Sequence, residues 1–159
     1  MGDMRITRWG EYGIQCASFI ASREQSSNPL VNAQELSDSL NIPIDYTRQI
    51  LQRLKNGGVI KTLRGPQGGY LLSKKPLEIN LSDILRAAEG DTFEIICSSD
   101  PIGLEKCSPE GQCAMRPIWH KLHDHIETFL KAHTLQELAD SEAEIARLAN
   151  APIKIGQHG

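Results

Sequence analysis

The chain has 159 residues, 40% of them apolar and 5% aromatic, with a formal net charge of −3 at pH 7. That length suits one compact domain with an appendage, and the scarcity of aromatics points to a helical core of Leu, Ile and Ala. No apolar run reaches membrane-spanning length and the first residues carry no signal-peptide core, so a cytoplasmic protein with no membrane partner is expected.

Residues 10–24 predict an amphipathic helix with Tyr12, Cys16, Phe19 and Ile20 on one stripe. Cys16, on that stripe, reads as an ordinary buried thiol. Ser26-Ser27-Asn28-Pro29 breaks the helix, and Asn32-Ala33-Gln34-Glu35 is a capping-box variant that opens a short helix through Leu36 to Leu40. A turn over Asn41 to Pro43 leads to a third helix, Ile44 to Asn56, with Ile50, Leu51 and Leu54 inward and Gly57-Gly58 as its stop. The strands VIKTL and YLLSK flank the turn RGPQGG and make a hairpin. Ser82 is the expected cap of a further short helix, DILRAAE, which Gly90 ends. After a Gly/Pro/Ser-rich segment, a long helix from about Met115 to Ala132 carries Ile118, Leu122, Ile126, Phe129 and Leu130 on one face. Thr134-Leu135-Gln136-Glu137 is the capping box of a last helix.

Helix, short helix, turn, helix and hairpin make a winged helix-turn-helix. The expected fold is therefore mainly α with a small β-hairpin wing and a long C-terminal dimerisation helix. Its organisation is a DNA-binding domain over 4–90, a cysteine-rich loop over 91–114, the dimerisation and C-terminal helices over 115–149, and a disordered tail over 150–159. The apolar face of the long helix can be covered by the chain's own domain or by the same helix of a partner. Winged helices that meet palindromic DNA usually act as two-fold dimers, which favours a homodimer.

From Arg48 to Lys75 the basic residues Arg48, Arg53, Lys55, Lys61, Arg64, Lys74 and Lys75 occur without an acidic one. A local cationic face of this kind is what phosphate contact needs, so a double-stranded DNA operator is the expected partner. At the start of the third helix Asp45, Tyr46, Thr47, Arg48 and Gln49 are placed to meet base edges. Arg48 can fork onto guanine and Gln49 onto adenine. Asp45 can accept from cytosine or simply cap the helix. In the wing, Arg64, Gly65, Pro66 and Gln67 form a slim tip, and Arg64 supplies the charge that a narrow minor groove attracts. Lys61, Lys74 and Lys75 read as phosphate contacts or as solvated charge.

Cys97, Cys107 and Cys113 share one loop, separated by nine and five residues. Thiolates are soft ligands, and three together suit an iron–sulfur cluster or zinc, although the spacing is too wide for paired zinc knuckles. The bland alternative is a surface loop with free thiols or a disulfide. No nucleophile–base pattern or phosphate-binding fingerprint is present, so the chain is read as a non-enzyme. A redox carrier that merely docks a partner is disfavoured by the basic span.

MRIT at Met4–Thr7, LRGPQGGYLLSK at Leu63–Lys74, LSDILRAAEG at Leu81–Gly90, and GQCAMRPIW followed by HTLQEL together resemble the IscR/NsrR family of winged-helix regulators. The resemblance runs from about Met4 to Leu138. It implies a homodimeric bacterial transcription regulator in which Cys97, Cys107 and Cys113 hold a [2Fe–2S] or [4Fe–4S] cluster that senses redox state, nitric oxide, iron or cluster status. It also makes the helix over 115–132 the dimer helix. Where one branch of the family has a fourth ligand, a His, this chain has Arg116, which cannot ligate a cation. In another branch an acidic residue early in the first helix, given by the other subunit, completes the site, and the matching position is Glu11. The plainer reading of Glu11 is a first-turn acid favoured by the helix dipole. His120 and His123 are the next candidates, or residues of a solvated helix face. A cluster-free regulator with a thiol switch or zinc is the alternative.

Overall fold

The computed structural model describes residues 7–24, 28–90 and 114–149. In chain order these form α1 (Arg8–Arg23), α2 (Ala33–Leu40), α3 (Ile44–Asn56), β1 (Ile60–Leu63), β2 (Gly69–Leu72), a 3-10 turn (Pro76–Glu78), α4 (Leu81–Glu89), α5 (Arg116–Ala132) and α6 (Leu135–Ala149). Mainly helical with one antiparallel hairpin, this is the expected winged helix-turn-helix.

Each start and stop has a local cause. The Thr7 hydroxyl caps α1 by accepting the Trp9 N–H at 3.2 Å, and the Asn32 side chain caps α2 by accepting the Glu35 N–H at 2.8 Å. Asn41 ends α2 in the left-handed region (φ 52°), which Asn tolerates better than most residues. The α4 cap differs from expectation. Asn80, not Ser82, is the cap residue, in a reciprocal box with Asp83 (3.0 and 3.3 Å). Ser82 lies two residues inside, buried, and donates its hydroxyl to Glu127 of α5 at 3.1 Å.

The hairpin pairs Ile60 with Leu72 through Leu63 with Gly69. Val31 extends this pairing by an isolated rung that the sequence patterns did not signal, exchanging backbone hydrogen bonds with Tyr70 at 3.1 and 2.8 Å. A Cβ on Gly69 would come within 2.8 Å of the Val31 carbonyl oxygen, so the close approach of that rung needs glycine.

The core lies between α1, α3, α4 and the hairpin, with Cys16 and Ile20, Leu51 and Leu54, Ile60 and Leu72, Ile84 and Ala88 all buried in it. The C-terminal helix α6 returns to close it, with Leu135 fully buried and Leu138 and Ala139 packed alongside. Backbone bonds pin that return, from the Leu81 N–H to the His133 carbonyl (3.0 Å) and from the Leu135 N–H to the Ile79 carbonyl (2.8 Å).

Among the described residues, α5 docks on α4 along one side only. Leu130 is buried and Ile126 half-buried, whereas Ile118, Trp119, Leu122 and Phe129 are exposed. The predicted apolar stripe thus splits between an intrachain contact and an open face. Glu127 holds the docked side, accepting from Ser82, from Arg86 at 3.2 Å and from Lys131 at 3.0 Å. Partial burial alone would raise its carboxyl pKa, but hydrogen bonds from Lys131 and Ser82 and the charges of Lys131 and Arg86 outweigh that and lower it.

At the α1–α4 crossing, a Cβ on Gly13 would stand 2.7 Å from the Cβ of Ala88. Gly13→Ala would gain about 0.5–1 kcal/mol of helix propensity but lose about 1–3 kcal/mol to overpacking against a rigid neighbour. We expect a net loss of about 1–2 kcal/mol in urea unfolding, largely recovered when Ala88→Gly is added, because the swap restores the gap.

Candidate nucleic-acid interface

The helix-turn-helix turn is held by side chains that close its backbone. Ser37 donates to the Ile42 carbonyl at 2.7 Å, and Thr47 donates to the carbonyls of Pro43 (3.2 Å) and Ile42 (3.4 Å). This sets α3 at its angle to α2. It also corrects one expectation. Thr47 is fully buried with its hydroxyl turned to the backbone, and so it braces the turn and cannot meet a base edge.

The other four residues expected at the start of α3, Asp45, Tyr46, Arg48 and Gln49, are exposed. Pro43 occupies the cap position with no side-chain bond, so Asp45 is not the cap. Asp45 instead lies 3.6 Å from Arg48, one turn on, in a solvent-facing ion pair. Tyr46 has a packing role beside its exposure of 48%. Its ring centroid is 5.3 Å from that of Trp9 and 6.4 Å from that of Tyr12, both on α1.

In the wing, Arg64, Gly65, Pro66 and Gln67 are all exposed. Gly65 has φ +125°, a conformation disfavoured for residues with a Cβ, and its carbonyl accepts the Gly68 N–H at 2.9 Å to close the tip. Lys61, on β1, and Lys74 and Lys75, after β2, are exposed too. Arg53 departs from the cationic face. Its guanidinium donates to the Ala88 carbonyl at 2.7 Å and lies 4.3 Å from the centre of the Trp9 ring. Neither Trp9 nor these contacts of Arg53 stood out in the sequence, since the partners are far apart along the chain.

Of the residues expected to hold a cluster, Cys97, Cys107 and Cys113 lie outside the described residues. Glu11 is exposed in the first turn of α1, where its carboxylate takes a long hydrogen bond from Gln15 (3.4 Å). His120 is exposed, and His123 is half-buried with Nδ1 3.4 Å from Asp124. Arg116 begins α5. Among the described residues no three His, Cys, Asp or Glu side chains converge as a metal site would require. Cys16 is a core residue, as expected, and burial pushes its thiol up to about 12. No helix of the described residues is long and apolar enough to cross a membrane.

An exposed helix start beside a slim cationic hairpin defines a winged-helix DNA-binding regulator. A family model described as "Rrf2: Iron-dependent Transcriptional regulator" matches residues 6–141, and the chain belongs to that family. It is 30% identical to the HTH-type transcriptional regulator IscR of Pectobacterium carotovorum subsp. carotovorum over 95% of this chain and 94% of that protein. Among solved structures it resembles CymR (YrzC), described as the global cysteine regulator of B. subtilis, with 26% identity, a TM-score of 0.68, and coverage of 86% of this chain and 97% of that one. It also shares its fold with T. potens IscR, at 23% identity and a TM-score of 0.68 over 89% of this chain and 90% of that one. The chain is a transcription regulator, the role that the family description and its relatives' names share, and that role is not enzymatic.

Two measurements test these placements. Arg64→Ala is expected to weaken DNA binding by about 1–3 kcal/mol, and Lys61→Ala to weaken it evenly across sequences while lowering the salt slope by about one. Unchanged affinity in both would show that the hairpin is not a DNA wing. Separately, Cys16 should resist iodoacetamide at pH 8 in the folded protein and react only after denaturation, because only the thiolate is a nucleophile. Mass-spectrometric mapping of a folded, alkylated sample reads this directly.

Proposed function

We propose that the chain is a homodimeric regulator whose affinity for its DNA operator is set by an iron–sulfur cluster held by Cys97, Cys107 and Cys113, with Glu11 of the partner subunit as fourth ligand. Asp45, Arg48 and Gln49 would face base edges, and Arg64, Gly65, Pro66 and Gln67 would enter or skirt a minor groove, with Lys61 on a phosphate. Three thiolates and one carboxylate are a chemically suitable donor set for cluster iron. Cys16, neutral and enclosed, is excluded from that set by its burial.

The observation that carries the reading is the position of Glu11. It is an exposed carboxylate next in sequence to Tyr12, whose ring meets Tyr46 at the start of α3. When bound, a cluster would supply a centre open to oxidants or nitric oxide, held by Cys97, Cys107, Cys113 and Glu11. Glu11, when engaged as a ligand, restrains the first turn of α1, and through Trp9, Tyr12 and Tyr46 it restrains the angle of α3. Released, it would leave that turn held by the contacts of its own chain alone. Both half-sites of a duplex must be met at fixed spacing, so a small change in that angle costs contacts on both. The carboxylate is a harder ligand than a thiolate, which makes it the more exchangeable one.

The dimer would form through the open face of α5, where Ile118, Trp119, Leu122 and Phe129 remain exposed. An apolar patch of that kind is typical of an interaction surface.

An anaerobic visible spectrum with iron and sulfide assays tests the cofactor. Brown protein retaining iron is expected, lost on substitution of Cys97, Cys107 or Cys113 and kept in Cys16→Ala. Colourless protein containing zinc, or thiols alone, would instead support the cluster-free regulator. Operator affinity should fall on removal of the cluster by about 1–3 kcal/mol, the range of an allosteric coupling, and Glu11→Ala should lose part of that difference. Equal affinity of holo and apo protein would rule the switch out, and a Glu11→Ala protein that switches normally would move the fourth ligand to His120 or His123.

A further inference from the structure

One oxygen of Glu89, the last residue of α4, accepts three hydrogen bonds from the start of α1. They come from the Thr7 N–H at 2.7 Å, the Thr7 hydroxyl at 2.9 Å and the Gly10 N–H at 2.8 Å. A helix leaves its first N–H groups without intrahelical partners, and the helix dipole favours a negative charge there. Thr7 caps only the Trp9 N–H through its own side chain. A residue 79 positions beyond Gly10 therefore completes what the local sequence leaves open.

The adjoining residue points the same way. The carbonyl of Ala88 accepts from Arg53 of α3, and the same guanidinium lies over Trp9. Trp9 in turn meets Tyr46, whose ring centroid is 5.3 Å away at an interplanar angle of 46°. The first turn of α1 is thus tied to the end of α4 on one side and supports the start of α3 on the other.

We propose that Glu89 is a positioning residue for DNA recognition. By fixing the first turn of α1 it sets where Trp9 and Tyr12 stand, and they set the Tyr46 ring and the exposed residues that follow it on α3. The inference rests on α3 being the recognition helix and needs no particular cofactor. It also makes a prediction of unusual sign. Removing a negative charge from a DNA-binding protein should, by electrostatics alone, leave affinity unchanged or raise it. Positioning requires that it fall.

The test uses full-length protein and the duplex that the wild-type chain enriches from a random-sequence library. At one salt concentration Glu89→Ala should bind that duplex about tenfold more weakly, whereas Glu89→Gln, which keeps the accepting oxygen without the charge, should stay within about threefold of wild type. The salt slope of Glu89→Ala should equal that of wild type, because no phosphate contact is lost. Exchange of the Gly10 amide hydrogen should be faster in Glu89→Ala than in Glu89→Gln. The double variant Glu89→Ala/Trp9→Leu should bind no more weakly than the weaker single variant, as residues on one path do not add. If Glu89→Ala does not fold, Glu89→Asp carries the same expectation, since it keeps the charge and withdraws the oxygens by one methylene. Wild-type affinity in Glu89→Ala or Glu89→Asp, with the Gly10 amide deprotected, would overturn the proposal. If the wild-type chain enriches no duplex, the recognition helix itself falls, and the role of Glu89 with it.

Discussion

The close crossing of α1 over α4 is the contact on which the other parts of this protein depend. It is close because Gly13 leaves no Cβ between the helix backbone and Ala88. Were the axes further apart, the carbonyl of Ala88 and the carboxylate of Glu89 would not stand at hydrogen-bonding distance from Arg53 and from the start of α1. Helix packing distances follow the side chains at the contact, and small residues on both sides bring backbones together. A single glycine therefore supports a steric fit, a helix cap and the base of the aromatic group that reaches α3.

Helix α5 is joined to this unit through the same helix α4. Glu127 of α5 is held by Ser82 and Arg86 of α4, and Leu130 is buried beside them. Arg86 and Lys131 are more than half exposed, so their charges are well screened, and the bond from buried Ser82 and the packing of Leu130 matter more. Since the Glu127 carboxyl has its pKa lowered in the folded chain, its contribution is present above the ordinary carboxylate value and disappears as pH falls through the lowered one. In the proposed dimer, the open face of α5 would meet its partner while the docked face grips α4. The spacing of two DNA-binding heads would then be fixed by how α5 sits on α4.

Much of the fold was legible in the sequence because its signals are local. The extent of α3, from Ile44 to Asn56, follows from the turn before it and the glycine pair after it, and the structure has the same bounds. The hairpin follows from its glycines. Thr47 shows where a local signal was present but outweighed by a motif. It stands three residues before Ile50 and four before Leu51, on the stripe that faces the core, and its burial follows from that period. Expecting it among base readers came from its position in the motif alone. Ser82 is a similar case, since Asn80 begins an equally good box with Asp83 and leaves Ser82 to face inward. The Glu89, Arg53 and Glu127 contacts were not legible, because each joins residues between 35 and 82 positions apart. For a single polar residue, no periodicity or spacing marks a partner at that distance. The proposed cluster site is legible only as a set of residue types, three thiols in one stretch and a carboxylate in another.

The electrostatics of the proposed interface also follow from arrangement more than from net charge. The chain carries −3 overall, so its attraction to DNA must come from the local run of Arg48, Lys55, Lys61, Arg64, Lys74 and Lys75, with Arg53 engaged on the other side of α3. A protein of that kind is attracted to a duplex in one orientation and repelled in most others, which reduces non-specific binding as well as total affinity. Asp45 sharpens this bias. Its pair with Arg48 is solvent-exposed, with side-chain exposures of 84% and 64%, and such pairs contribute at most about 1 kcal/mol. Parting the two on a duplex therefore costs little. If Arg48 turned to a base, as proposed, a carboxylate would remain in the groove. It is unfavourable against phosphate and against every base edge that offers only acceptors, and is relieved only where an amino group such as cytosine N4 is within reach. On that reading, the helix start obtains selectivity as much from the sequences Asp45 rejects as from those Arg48 accepts.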